Sequence, residues 1–316
     1  MSETGLLSSE RKAKEQSASH KPSHWIARIL GVAVDDSGMD NESRMKKVKK
    51  LEAEVAEQPS SASLRREICV LLMQCGGREN LILASNHMIQ ACRSHPYESG
   101  LYRVLAAVYL RMGMVQKAMI QRHNAATVRA VEDNPNSPRV HNALGVVFSG
   151  LYLPDLAAKH FRRAISLNHR YHVAMRNLAV LIHNSAMAQS DPNERKTLAA
   201  GALAEITRAL EITRSPRSLL VLASIQELCH SFDKALKAVY EAERLAPGLK
   251  GLHAIKSRLL YQIQEEARFA IRESRDDSVE RLRLARDRVA NFELTPVASV
   301  LEPVHDPRHF NTKEQK

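Results

Sequence analysis

The side chains of this sequence that could do chemistry are mainly its histidines and arginines. Imidazole nitrogens are common zinc ligands, and five histidines fall close together in the chain; they are His141, His160, His169, His172 and His183. No cysteine or carboxylate accompanies them at a metal-ligand spacing. The sequence also has no glycine-rich phosphate loop, nucleophile elbow or His-Glu metalloprotease motif. We therefore expect a protein that is not an enzyme and that uses no metal ion or cofactor.

The elements that must position any functional side chains are helix hairpins. Leu144 and Phe148 are one helical turn apart and share a face. Ala157, Phe161 and Ala164 have the i, i+4, i+7 spacing of a second helix with one apolar stripe. The segment "GLYLPD" between them supplies Gly, Pro and Asp, which are turn and helix-start residues. This pattern predicts two antiparallel helices, which need neighbours to bury their faces.

The same hairpin pattern recurs along the chain. The separation is 34 residues from Leu72 to Ala106, and again from Gly145 to Ala179. The five first-helix pairs are Leu71-Leu72, Leu105-Ala106, Leu144-Gly145, Leu178-Ala179 and Leu222-Ala223. The third repeat places a Leu-Gly pair, an aromatic residue, Ala, a second aromatic residue and Ala in that order. In this order and in its 34-residue period, the sequence resembles the tetratricopeptide repeat family. The resemblance implies an all-α, right-handed α-solenoid of about five hairpins with helical caps at both ends.

Two spacings in this array are longer than the family period. Ala106 and Gly145 are 39 residues apart, and "VRAVEDNPNSP" is expected to extend the linker between their hairpins. Ala179 and Ala223 are 44 residues apart, and "AMAQSDPNERKTLAAG" is expected to interrupt the fourth hairpin. No repeat has the tryptophan of the family pattern, and His141 occupies that place in the third repeat.

The resemblance also implies which residues would face a ligand, because the first helices of such arrays line their concave surface. Arginine can bind a carboxylate or phosphate through two hydrogen bonds, asparagine can bind an extended backbone, and valine supplies an apolar floor. Alternatively, some of these arginines lie on solvated faces or pair with a neighbouring glutamate. The groove residues predicted in this way are Arg66, Arg103, Arg139, Asn142, Val146, Arg176, Asn177, Val180, His183 and Arg217.

The charge of the chain is concentrated in the repeats. The formal net charge is +11, and residues 61–250 hold 24 Lys and Arg residues against 14 Asp and Glu residues. A basic surface on a folded scaffold favours an acidic partner.

We divide the sequence into five segments. Residues 1–22 are predicted to be a disordered polar tail, 23–60 an amphipathic segment, a linker and an N-terminal cap helix, and 61–250 the repeat solenoid. Residues 251–295 are predicted to be C-terminal cap helices, and 296–316 an irregular tail. The amphipathic segment either packs on the first repeat or docks in a groove of a partner or of this chain. Its apolar side chains are Trp25, Ile26, Ile29 and Leu30.

The sequence predicts a cytoplasmic location. No apolar run is long enough to span a membrane, and the first residues have neither a secretory hydrophobic region nor the acid-poor composition of a transit peptide. Four cysteines without a metal-ligand pair are typical of free thiols in a reducing compartment.

These observations predict a protein-binding module that acts as an adaptor, assembly chaperone or scaffold. Its partner would be a protein with an acidic or extended segment, held in the basic groove, and self-association is possible. The alternative is RNA binding by the basic surface, although the predicted groove has almost none of the aromatic side chains on which single strands stack.

Overall fold

The computed structural model describes residues 38–273, and every regular element in that range is an α-helix. The chain divides into two compact units, Met1–Pro135 and Asn136–Lys316. Each unit is described by itself below.

The first unit contains an N-terminal helix followed by two helix hairpins. Helix α1 packs on α2, α2 and α3 form the first hairpin, α3 packs on α4, and α4 and α5 form the second hairpin. The apolar residues of α1 that face α2 include Val48 and Leu51, which are buried. The helices are α1 (Asn41–Glu57), α2 (Ala62–Cys75), α3 (Arg78–Ser94), α4 (Ser99–Arg111) and α5 (Val115–Asp133).

The second unit contains three hairpins and a long final helix. The hairpins are α6–α7, α8–α9 and α10–α11, and each one packs against the helix that follows it. The first helices also contact one another in the order α6, α8, α10 and α12. The helices are α6 (Pro138–Gly150), α7 (Pro154–Leu167), α8 (His172–Ala188), α9 (Pro192–Ile212), α10 (Pro216–Leu228), α11 (Phe232–Leu245) and α12 (Leu252–Glu273). The predicted all-α array of tetratricopeptide-like hairpins is therefore confirmed.

Local sequence signals explain where the helices begin. The hydroxyl of Ser137 accepts a hydrogen bond from the backbone N–H of Val140, and Pro138 occupies the first helical position of α6. Ser215 and Pro216 play the same parts at the start of α10. These caps satisfy backbone donors that have no partner within the helix.

Small residues let the two helices of a hairpin approach closely. A Cβ atom added to Gly145 would lie 2.5 Å from Cε1 of Phe161, so the bare backbone of α6 is in contact with the ring on α7. Phe148 and Phe161 are both fully buried in this hairpin. The spacing of these residues along the sequence therefore reflects close packing between α6 and α7.

The two long spacings lengthen helices rather than loops. Helix α5 continues to Asp133, so most of "VRAVEDNPNSP" is helical and the expected extension of the linker is wrong. In the fourth hairpin α8 and α9 are 17 and 21 residues long, and only residues 189–191 connect them. The hairpin is thus extended and not interrupted, because alanine-rich sequence on both sides favours helix and Asp191 caps α9.

Several of the predicted segments lie outside the described residues. These are the N-terminal tail, the amphipathic segment with Trp25, Ile26, Ile29 and Leu30, the second C-terminal cap helix and the final tail. The first of the two C-terminal helices is α12, as the sequence predicts. Within the described range no helix is both long and apolar enough to cross a membrane.

The four cysteines are free thiols. Cys69 and Cys92 are buried, and burial raises the pKa of each thiol to about 12. These two side chains therefore act as small apolar core residues.

Candidate functional site

Three first helices of the second unit bring most of the predicted groove residues together. On α8, Arg176, Val180 and His183 follow each other at i, i+4 and i+7 and so share one side of the helix. Helix α8 packs between α6 and α10, so side chains from three helices meet there. We call this set the first-helix face; its members are Arg139, Asn142 and Val146 on α6, Arg176, Asn177, Val180 and His183 on α8, and Arg217 on α10.

A buried amide pair joins α6 to α8. Nδ2 of Asn177 donates a hydrogen bond to Oδ1 of Asn142 at 3.0 Å, and both side chains are buried. This bond uses one amide hydrogen of Asn177 and one lone pair of Asn142. The NH₂ group of Asn142 and the side-chain oxygen of Asn177 take no part in this bond. The pair therefore offers a donor from Asn142 and an acceptor from Asn177.

Arg176 is a buried cation on this face. It is 9 % exposed, and within the described residues no hydrogen bond or ion pair joins its guanidinium to another side chain. Burial lowers the pKa of Arg176, the neighbouring Arg217 on α10 lowers it further, and Tyr171 opposes the shift. A buried charge without an opposite charge is costly, so this position favours an incoming anion.

Among residues 38–273, the other charges around Arg176 do not neutralise it. Arg139 and Arg217 are exposed at the N-terminal ends of α6 and α10. Helices α6 and α8 contain no Asp or Glu, and α10 contains only Glu227. That carboxylate is bound by Arg258 of α12 through two hydrogen bonds of 2.5 Å, so its charge is already paired. The first-helix face is therefore cationic.

His183 lies beside the Glu227–Arg258 pair. It is 5 % exposed, and its buried Nδ1 atom has no hydrogen-bond partner within the described range. Burial lowers the pKa of His183, Glu227 opposes this shift and Arg258 reinforces it. The ring is consequently neutral near pH 7 and adds polarity, not charge, to this end of the face.

The two predicted arginines of the first unit have different surroundings. Arg66 is half-buried and forms an ion pair with Glu98, which precedes α4. Arg103 on α4 is exposed. Two of the five predicted arginines therefore lie in the first unit and three in the second. In the part of the chain that the structure describes, no ion pair joins Arg139, Arg176 or Arg217 to a carboxylate.

Two features of the second unit were missed by the sequence reasoning. The first is the Glu227–Arg258 pair, although Glu227 holds the place in its repeat that His183 holds in the preceding one. The second is a contact between His141 and His160, which the spacing along one chain does not reveal. In the described part of the chain, no group of three or more His, Cys, Asp or Glu side chains could hold a metal ion.

Comparisons with known proteins extend this description. No protein-family model matches the sequence, and no curated protein matches it. Among solved structures, the chain is similar to YrrB, described as a TPR protein with an unusual peptide-binding site, at 17% identity and a TM-score of 0.32. That match covers 64% of this chain and 94% of YrrB.

Two further similar structures come from named bacteria. MamA from Desulfovibrio magneticus RS-1 is 14% identical with a TM-score of 0.36, and the match covers 61% of this chain and 92% of MamA. PilF of Pseudomonas aeruginosa is 17% identical with a TM-score of 0.30, and the match covers 71% of this chain and 91% of PilF. The fold assignment itself rests on the helix bounds, the hairpin packing and the 34-residue spacing of this chain.

Proposed function

We propose that this protein is a non-enzymatic interaction module whose first-helix face binds an acidic, extended segment of a partner protein. The observation that carries the proposal is Arg176, a buried guanidinium that has no carboxylate partner among residues 38–273. The one glutamate of α10, Glu227, is already paired with Arg258. A carboxylate of the partner would supply the missing charge, because guanidinium and carboxylate groups match in geometry.

The remaining residues of the face suit an extended backbone. The donor of Asn142 and the acceptor of Asn177 can bind the C=O and N–H of a single peptide unit. Val146 is buried and Val180 is half-buried beside this amide pair, which gives the segment an apolar floor. Arg139 and Arg217 are exposed and would attract further acidic residues. These features together favour an adaptor or scaffold that holds a partner's acidic segment.

The proposal is tested by peptide selection on the full-length protein. A random dodecapeptide library is selected on the wild type, and the recovered peptides are measured by fluorescence polarisation against the wild type, Arg176→Gln and Arg162→Gln. Arg162 is an exposed residue of α7 outside the first-helix face, so it serves as the matched control. We expect peptides rich in Asp and Glu that lose at least about tenfold in affinity with Arg176→Gln and almost none with Arg162→Gln.

The same experiment distinguishes the alternative of RNA binding. Peptides without acidic residues, or equal affinity for Arg176→Gln and the wild type, would contradict the proposed site. A single-stranded RNA that binds with a steep log–log salt dependence and is weakened by the same substitution would identify the face as a nucleic-acid site instead.

A further inference from the structure

Two buried histidines connect the helices of the hairpin that begins the second unit. His141 on α6 and His160 on α7 are each 7 % exposed, and their Nδ1 atoms are 2.9 Å apart. The ring centroids are 5.2 Å apart with an angle of 24° between the planes. A hydrogen bond between two Nδ1 atoms needs a hydrogen on one and a lone pair on the other. The pair can therefore form when at least one ring is neutral, but not when both rings are protonated.

Burial and neighbouring positive charge disfavour protonation of the histidine pair. Repulsion from His141 and Lys159 adds to the effect of burial on His160, and the ring of Phe148 lies 5.2 Å from the ring of His160. The only carboxylate of α6 and α7 is Asp155, which is exposed in the first turn of α7. The titratable groups of α8, which packs against both helices, are His172, Arg176 and His183. Tyr152 and Tyr171 lie in the connections on either side of α7.

The pair is adjacent to the first-helix face in the chain. His141 directly precedes Asn142, whose side chain bonds to Asn177 on α8. Helix α6 is held on one side by α7 and on the other by α8. A movement of α6 away from α7 would therefore also displace Asn142.

We propose that the histidine pair makes the α6–α7 hairpin sensitive to acid, so that protonation of both rings loosens α6 and weakens ligand binding at the first-helix face. Burial, then His141, then Lys159 lower the pKa of His160 to about 4. An unfolded histidine has its ordinary pKa of about 6.5, so the open hairpin binds more protons than the closed one between these values. The closed hairpin is therefore most stable above pH 6.5 and loses stability as the pH falls towards 4. The effect on ligand binding rests on the proposed function, whereas the effect on the hairpin does not.

Hydrogen exchange measured by mass spectrometry tests the effect on the hairpin in the full-length protein. Exchange is followed at pH 7.0 and pH 5.0 and corrected for the intrinsic pH dependence of amide exchange. We expect protection of α6 and α7 in the wild type to fall by about tenfold at pH 5.0 relative to the α10–α11 hairpin, whose helices contain no histidine. In His160→Gln, whose side chain can still bond to His141 but cannot be protonated, the two hairpins should respond alike. His169→Gln, at an exposed position after α7, should behave as the wild type.

Each outcome of this experiment has a defined meaning. Equal acid responses of the two hairpins in the wild type, or the same acid response in His160→Gln as in the wild type, would overturn the proposal. If His160→Gln does not fold, His141→Gln provides the same comparison, and the wild-type comparison of the two hairpins decides in any case.

The coupling to ligand is measured with an acidic peptide from the selection above. Its affinity should fall more between pH 7.0 and pH 5.5 for the wild type than for His160→Gln. A peptide that binds neither protein would contradict the proposed function while leaving the exchange result valid. Equal losses of affinity in the two proteins, with the expected exchange result, would overturn the coupling alone.

Discussion

At the scale of single residues, Gly145 allows α6 and α7 to pack closely. Replacement by alanine would place a methyl group 2.5 Å from the ring of Phe161, which real contacts do not allow, so the ring or a helix must move. We expect Gly145→Ala to lower the free energy of unfolding by about 1–3 kcal/mol, as overpacking of a core usually does. Urea unfolding followed by circular dichroism measures the change.

Gly201 provides the control for this substitution. It also lies inside a helix, α9, but the nearest atom to an added Cβ would be Cγ2 of Ile182 at 4.0 Å, an ordinary contact. Gly201→Ala should therefore leave the stability unchanged or raise it by up to about 1 kcal/mol, because alanine has the higher helix propensity. Equal losses for the two substitutions would show that close packing is not what distinguishes Gly145.

Arg176 is a residue whose charge is expected to oppose stability in the free protein. Methionine keeps much of the volume of its side chain and removes the buried charge. We expect Arg176→Met to leave the free energy of unfolding unchanged or to raise it by about 1 kcal/mol, while acidic peptides no longer bind. Thermal and urea unfolding without ligand provide the measurement, with the exposed Arg162→Met as control. A loss of stability confined to Arg176→Met would mean that the guanidinium has a structural role.

At the scale of the helices, Asp191 defines the extended fourth hairpin. Its carboxylate accepts a hydrogen bond of 3.0 Å from the backbone N–H of Asn193 at the start of α9, and Pro192 occupies the first helical position. Asp191→Ala should lower the free energy of unfolding by about 1 kcal/mol, because this N–H then has no cap. Asp191→Asn keeps a capping oxygen and should change stability little. Urea unfolding of both variants is the test, and equal effects would exclude the cap as the cause.

The helices also show how far the sequence could predict this fold. The period of the Leu-Gly and Ala positions predicts the helices and their pairing, since each apolar stripe needs a partner stripe at a fixed spacing. The helix-breaking residues in the two long spacings did not show whether those segments form loops or longer helices. Pro135 does lie in the connection after α5, but Pro192, in the segment expected to interrupt the hairpin, begins α9. A proline just after a helix, or at its first position, does not shorten that helix.

At the scale of the whole molecule, buried histidines are expected to set the pH dependence of stability. Burial is the main cause that lowers the pKa of His87, His123, His160, His172 and His183. The unfolded chain therefore binds more protons than the folded one below pH 6.5, and stability must fall as the pH falls through this range.

We expect the free energy of unfolding to decrease by about 2 kcal/mol or more between pH 7 and pH 5, well before most carboxylates are protonated. Urea midpoints at pH 7.5, 6.5 and 5.5 measure the decrease. Constant midpoints over this range would contradict the prediction, since acidic ion pairs such as Arg214–Glu241 are lost only at lower pH.

The sequence by itself determined the helical hairpins, their phase and the residues that the first helices carry. These depend on helix propensity, on capping residues and on repeated spacing. All three can be identified from the order of residues in the sequence. The resemblance to the tetratricopeptide repeat family then implied which first-helix residues would face a ligand, among them Arg139, Asn142, Arg176 and Arg217.

Only the tertiary structure decided which of these side chains are paired, buried or available. Arg66 meets Glu98, and Glu227 meets Arg258, across separations of about 30 residues that no local pattern encodes. His141 meets His160 only because α6 and α7 pack face to face. The exposed fraction of Arg176 likewise depends on the close approach of α8 to its neighbours. Burial and pairing determine the electrostatic free energy of a charge, and both are properties of packed helices, not of the sequence pattern.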